Sequence, residues 1–147
     1  MRPKLLTRIP FLLATLLLLV TSQAFLQISG KPPEPAPNPS GSTWSAGICA
    51  GVGGFNQYYA KVSWAGTANN DNVFILELSD ASGDFTNAVE LGRADDQNTN
   101  NPKEFDMEFS IPTTTRGDGY KMRVRSTSPA DEAESDDSYN MYYMDIT

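Results

Sequence analysis

Histidine is missing altogether from this chain of 147 residues, and cysteine occurs once. The first absence removes the commonest general base and the commonest zinc ligand together. The second excludes an internal disulfide and leaves the Cys49 thiol three fates in an oxidising space: burial, an intermolecular pair, or a partner chain. Burial is the simplest, because a free Cys packs as a small hydrophobe. Basic residues are in deficit, 11 Lys and Arg against 18 Asp and Glu, for a net charge of −7. Sequence-independent nucleic-acid binding draws its affinity from neutralising phosphates, so no nucleic acid is expected as a partner. Gly-rich phosphate loops, nucleophile elbows and metal-ligand spacings are missing too. The expectation is therefore no enzyme, no cofactor and no metal site. Nor is there an apolar run of the roughly 20 residues that a membrane-spanning helix needs.

What is present begins with a leader. Arg2, Lys4 and Arg8 form a basic start, Ile9 to Val20 is an apolar stretch of 12 residues, and Ser22-Gln23-Ala24 offers small residues where a signal peptidase reads. This three-part build predicts a signal peptide over residues 1–24, cleaved after Ala24. Cleavage removes three positive charges and leaves a chain of net charge −10. The product is expected in the periplasm, on the cell surface or outside the cell, with no membrane span. Next comes a run with five prolines in the eight residues from Pro32 to Pro39. Proline holds such a run in extended polyproline II geometry, so residues 25–43 read as a semi-rigid linker. The folded domain is then residues 44–147.

Within that domain the apolar period is two. Tyr58, Ala60, Val62 and Trp64 alternate with Tyr59, Lys61 and Ser63, and Phe105, Met107, Phe109 and Ile111 interleave with Glu104, Asp106, Glu108 and Ser110. Such alternation puts one face of a strand in a core and the other in water. With the turn-rich clusters between the runs, it predicts strands near 45–50, 57–65, 72–79, 87–93, 104–111, 120–127 and 139–146. About seven strands in some 100 residues predicts an all-β, two-sheet sandwich of the immunoglobulin/fibronectin III-like kind. Gly119-Tyr120 after Ile111-Pro112 and a polar loop matches a tyrosine corner, whose hydroxyl bonds back to the preceding chain. Trp64, Phe105, Phe109 and Tyr120 are expected to meet in one interior.

Several constellations invite a functional reading. Glu104, Asp106 and Glu108 fall on the wet side of one strand, where exposed carboxylates make poor general acids. Asn69-Asn70-Asp71-Asn72, Asp80 with Asp84, and the acidic run from Asp131 to Asp137 are oxygen-rich loops of the kind Ca²⁺ takes, although Asn and Asp in turns also cap their own backbone. Arg116-Gly117-Asp118 spells the tripeptide that integrins read, a short match that glycine-bearing turns produce by themselves. Lys121, Arg123 and Arg125 form the candidate binding site, a basic stripe on the outer face of a strand that would lie beside Glu77. One sheet would then be positive outside and the other negative. The stripe would dock an anionic glycan or a neighbouring envelope or surface protein, with charge setting orientation more than affinity.

Three segments together carry a resemblance. They are Asp71 to Phe85 (DNVFILELSDASGDF), Ile111 to Pro129 (IPTTTRGDGYKMRVRSTSP) and Met141 to Met144 (MYYM). In these the chain resembles, from Ile48 onward, the N-terminal region of SprC-type gliding-motility-associated surface proteins of Bacteroidota. That resemblance implies a cell-surface or envelope protein linked to the adhesin machinery and type 9 secretion, with no catalytic residues to carry over. Family members continue into further immunoglobulin-like domains and a sorting domain. The expected function is thus an exported, non-enzymatic module with a structural or adhesive role at the envelope. The alternative is a secreted carbohydrate-binding module, with Ca²⁺ as an optional ligand.

Overall fold

A computed structural model describes residues 25–28, 35–36, 48–51, 56–135 and 139–142. It is all-β, and its two antiparallel sheets, one of three strands (four with the two-residue β2) and one of four, pack face to face as an immunoglobulin/fibronectin III-like sandwich. In the first sheet β4 (Tyr58–Gly66) lies between β1 (Leu26–Ile28) and β7 (Glu104–Phe109), and β2 (Pro35–Ala36) pairs with β4 further along. The second sheet runs β10 (Ala130–Glu134), β9 (Met122–Thr127), β5 (Phe74–Leu78), β6 (Val89–Ala94). A short ladder of β3 (Ile48–Cys49), β11 (Tyr139–Tyr142) and β8 (Gly117–Tyr120) adjoins it, β8 leading into β9 across Lys121.

The period-two pattern works as expected where it is longest. Along β4 the side chains of Tyr58, Ala60, Val62 and Trp64 are buried, while Lys61 and Ala65 face solvent. Trp64, Phe74 and Phe105 form an aromatic centre, with ring centroids 4.8 Å apart for Trp64–Phe74 and 5.5 Å for Phe74–Phe105. Phe109 is buried against Tyr58, and the half-buried Phe105 and Tyr120 pack on the same cluster. Each fully buried ring contributes about 1.5–3 kcal/mol by leaving water, and the half-buried ones less. The Tyr120 hydroxyl donates to the Arg116 carbonyl at 3.2 Å, closing the tyrosine corner. Gly119 makes this turn feasible: its φ is +90°, and a Cβ there would overlap the Ala81 carbonyl oxygen.

Three expectations are revised. The segment read as a linker supplies β1 and β2, and Leu26 is 5% exposed in the core. Apolar Leu26 and Ile28 flank Gln27 in too short an alternation to stand out beside the proline run. The acidic stretch Asp131–Glu134, read as a loop, is part of strand β10 paired with β9, since its side chains alternate across an edge where charge is easily solvated. The strand expected over 120–127 is split: β8 ends at Tyr120 and pairs with β11, and β9 starts at Met122 in the four-stranded sheet. Residues 45–47 and 143–146 of two expected strands, like the signal peptide and most of the Pro-rich run, lie outside the described residues.

One pole of the sandwich is tied by amides. Asn72 is fully buried; its Oδ1 accepts from the Thr127 and Ser128 backbone at 2.9 and 2.8 Å, and its Nδ2 donates to Asn98 Oδ1. Asn98 Nδ2 in turn donates to the Asn72 carbonyl at 2.8 Å. Three connections are thereby fixed to one another. At the other pole Asp80 Oδ1 accepts from Ser82 and Asp84 backbone amides, and Asp84 Oδ1 does the same for Thr86. Those bonds hold both carboxyls below the ordinary aspartate range, led by the Ser82 hydroxyl for Asp80 and the Thr86 hydroxyl for Asp84.

Candidate docking face

The candidate stripe lies on the outer face of the four-stranded sheet. Strand register sets Arg123 opposite Glu77 and Arg125 opposite Ile75, with Glu134 and Glu132 as their neighbours on β10. Lys121 sits in the break between β8 and β9. Its backbone bonds with Ser79, and its aliphatic stem passes close to Gly83. The structure therefore brings Arg123 and Arg125 together and leaves Lys121 to one side.

The two arginines converge on one carboxylate. Arg123 Nε lies 2.7 Å from Glu77 Oε2, and Arg125 Nη2 lies 2.9 Å from Glu77 Oε1. Arg123 also reaches Glu132 at 3.2 Å, and its guanidinium stands 4.5 Å from the centre of the Phe85 ring. Glu77 is only 8% exposed although it points outward, because the arginine stems cover it. Burial pushes its carboxyl up, but the bonds from Arg125 and Arg123 outweigh burial and hold it below the usual glutamate range. Arg125 is raised in turn, chiefly by its bond to Glu77.

This corrects the charge picture drawn from the sequence. The outer face carries the cations Arg93, Lys121, Arg123 and Arg125, but also the carboxylates Glu77, Glu90, Glu132 and Glu134, and Glu90 pairs with Arg93 at 2.7 Å. These four charges of each sign leave it balanced rather than positive. Sequence reasoning placed Glu77 beside the stripe but missed its burial and the role of Phe85, which arrives from a distant turn. The opposite sheet is acidic outside, as expected. Glu104, Asp106 and Glu108 line up on β7, and Lys61 pairs with Glu104 at 3.1 Å. On the same face Gln57 Nε2 donates to Glu108 Oε1 at 2.6 Å, beside the Tyr59 ring.

The remaining candidates fall as follows. Asp80 and Asp84 serve their own turn, and Asn72 is committed to the buried clamp. Among the described residues no three His, Cys, Asp or Glu side chains gather as a metal site would need. Arg116-Gly117-Asp118 runs into strand β8, exposed but paired to β11 rather than looped out. Cys49 is a free thiol, half-buried rather than buried, and its backbone N–H and C=O both bond the Tyr58 hydroxyl. An open hollow of about 400 Å³ lies at the β9–β10 hairpin, lined by Arg125, Ser126, Thr127, Ala130, Asp131 and Glu132. Among the described residues no helix is long and apolar enough to cross a membrane.

The fold makes this chain an immunoglobulin/fibronectin III-like β-sandwich whose outer faces are built from charged strand residues. A scan against protein-family models matches none, and a search of curated proteins finds no relative.

Proposed function

We propose that the chain is an exported, non-enzymatic β-sandwich module with a structural or adhesive role at the cell envelope, linked to gliding motility or type 9 secretion. The observation that carries this reading is the Glu77 clamp. Among the described residues, the most closely grouped ionisable side chains lock neighbouring strands to one another and stiffen a sheet face. An acid or base at work needs a proton-transfer partner within reach and acidity tuned to the operating pH, whereas the two guanidinium groups hold the Glu77 carboxyl below the usual glutamate range. The resemblance from Ile48 onward to gliding-associated surface proteins supports the place of action.

The test is fractionation of cells expressing the full chain with a C-terminal tag. The expected result is a processed protein whose N-terminus is Phe25, recovered with the envelope or outside the cell. Recovery of an unprocessed chain in the cytoplasm would end the proposal.

One observation favours the carbohydrate-binding alternative. Tyr59 offers a ring flanked by the amide of Gln57 and the carboxylate of Glu108 on a flat sheet face, a combination suited to stacking on a sugar and bonding its hydroxyls. A glycan array read with and without chelator separates the readings. Sugar binding lost on Tyr59→Ala would favour the alternative, and chelator sensitivity would add Ca²⁺ to it.

A further inference from the structure

We propose that β6 pairs edge to edge with β6 of a second copy of this chain, antiparallel about a two-fold axis, so that the two four-stranded sheets become one. The inference goes beyond the envelope reading and does not depend on it. A strand at a sheet edge presents a row of backbone N–H and C=O groups to any strand that can approach. Among the described strands of five or more residues, β6, β7 and β10 hold such edges. Their side chains decide which of them can receive a copy of itself.

β7 and β10 are guarded by charge of one sign. The outward residues of β7 are Glu104, Asp106 and Glu108, and the charged residues of β10 are Asp131, Glu132 and Glu134. Two copies brought together along either edge would set carboxylate against carboxylate, which is destabilising. β10 is also braced from the other sheet, where the Ile28 amide donates to Asp131 Oδ2 at 2.7 Å.

β6 differs, because its pattern reads the same from both ends. Val89 lies opposite Leu78, Gly92 opposite Leu76 and Ala94 opposite Phe74, all on the core side. Glu90 lies opposite Glu77 and Arg93 opposite Ile75, on the outer side. The register slips between Leu76 and Glu77, so Leu91 is an extra residue, and it too packs on the core. The faces therefore run in, out, in, in, out, in, with an acid at the first outward place and a base at the second. Turned about an axis between Leu91 and Gly92, the strand sets Glu90 opposite Arg93 of the second copy. Leu91 then meets Gly92, and Val89 meets Ala94.

Every pair in that register joins like face to like face and opposite charge to opposite charge. Within one chain Glu90 and Arg93 already bond at 2.7 and 2.9 Å. Pairing gives each of them a further opposite charge across the axis. Val89 is 45% exposed, and among the described large apolar side chains only Phe25 is more so. The second strand covers it. A Cβ on Gly92 would lie 3.1 Å from Met107 Sδ and 3.3 Å from the Glu108 carbonyl oxygen. β7 thus fills the space beneath β6, and an incoming strand meets the edge rather than the inner face. Since β7 and β10 repel their own kind, association closes at two copies instead of running on as a filament.

The test is sedimentation equilibrium of the full chain, as wild type and as two charge reversals. Wild type is expected to form a dimer. Glu90→Arg and Arg93→Glu each set like charges across the axis, and each is expected to weaken the dimer about tenfold or more. Mixed one to one, the two variants are expected to form a mixed dimer of wild-type strength, because each then faces the opposite charge on the other chain. Neither variant keeps the Glu90–Arg93 bond within its own chain, so rescue on mixing reads contact between chains. Amide exchange locates that contact: β6 amides slow as protein concentration rises, and β7 and β10 amides do not. Wild type that stays monomeric at about 1 mM would overturn the proposal. So would single variants that dimerise like wild type, variants that stay apart on mixing, or concentration-dependent protection on another strand instead of β6.

Discussion

The two outer faces of the sandwich use charge in opposite ways. On the four-stranded sheet Arg123 and Arg125 close on Glu77, and every carboxylate of the face has a cation as neighbour. On the three-stranded sheet the carboxylates of β7 stand in a row at every second residue, with the Lys61 ammonium on Glu104. The first arrangement removes charge from solvent and ties strands β5, β9 and β10 together. The second leaves charge at the water boundary, where it keeps the protein dispersed and contributes little to folding. An outward position is thus no guide to energetic weight; partner geometry decides it.

Substitutions can sharpen that difference, beginning with the residue at the centre of the clamp. Glu77→Ala strands two guanidiniums whose side chains are 18% and 37% exposed, and is expected to cost about 2 kcal/mol, discounted for the solvent that reaches Arg125. Urea denaturation of the two proteins measures it. Acid is the next probe. Because the folded Glu77 is held below its unfolded acidity, its contribution is present above about pH 4.3 and is lost as pH falls through the folded value. Wild type is therefore expected to lose stability below about pH 4 more steeply than Glu77→Gln, and parallel curves would contradict the clamp. Arg123→Lys keeps the charge but forfeits the fork and the stack on Phe85, so a smaller loss of about 1 kcal/mol is expected in the same urea titration. At the bottom of the scale, Glu108→Gln on the opposite face should change stability by no more than about 0.5 kcal/mol. A cost as large as that of Glu77→Ala would erase the contrast between the faces.

Much of the fold was legible because alternation is a local signal. Strands β4, β5, β7 and β9 lie where Trp64, Leu76, Phe109 and Val124 set the apolar beat, and the tyrosine corner was readable from Gly119-Tyr120. Less legible were the features that depend on partners far along the chain. Leu26–Ile28 is a strand because Gly66 lets Phe25 approach and Asp131 accepts the Ile28 amide, contacts that no window of the sequence contains. Strand β10 was hidden by its acidity, which as an edge it can solvate. Of the basic stripe, Arg123 and Arg125 lie on β9 and Lys121 falls in the break before it, and the pairing of the arginines required knowing that Glu77, Glu132 and Phe85 gather around Arg123.

Amide hydrogen exchange reads most directly whether the chain is woven into the sandwich from Phe25 onward. The Thr67 amide, bonded to Phe25, and the Ile28 amide, bonded to Asp131, are predicted to exchange as slowly as amides in β4. Exchange of both at the rate of an unstructured tail would contradict that weave.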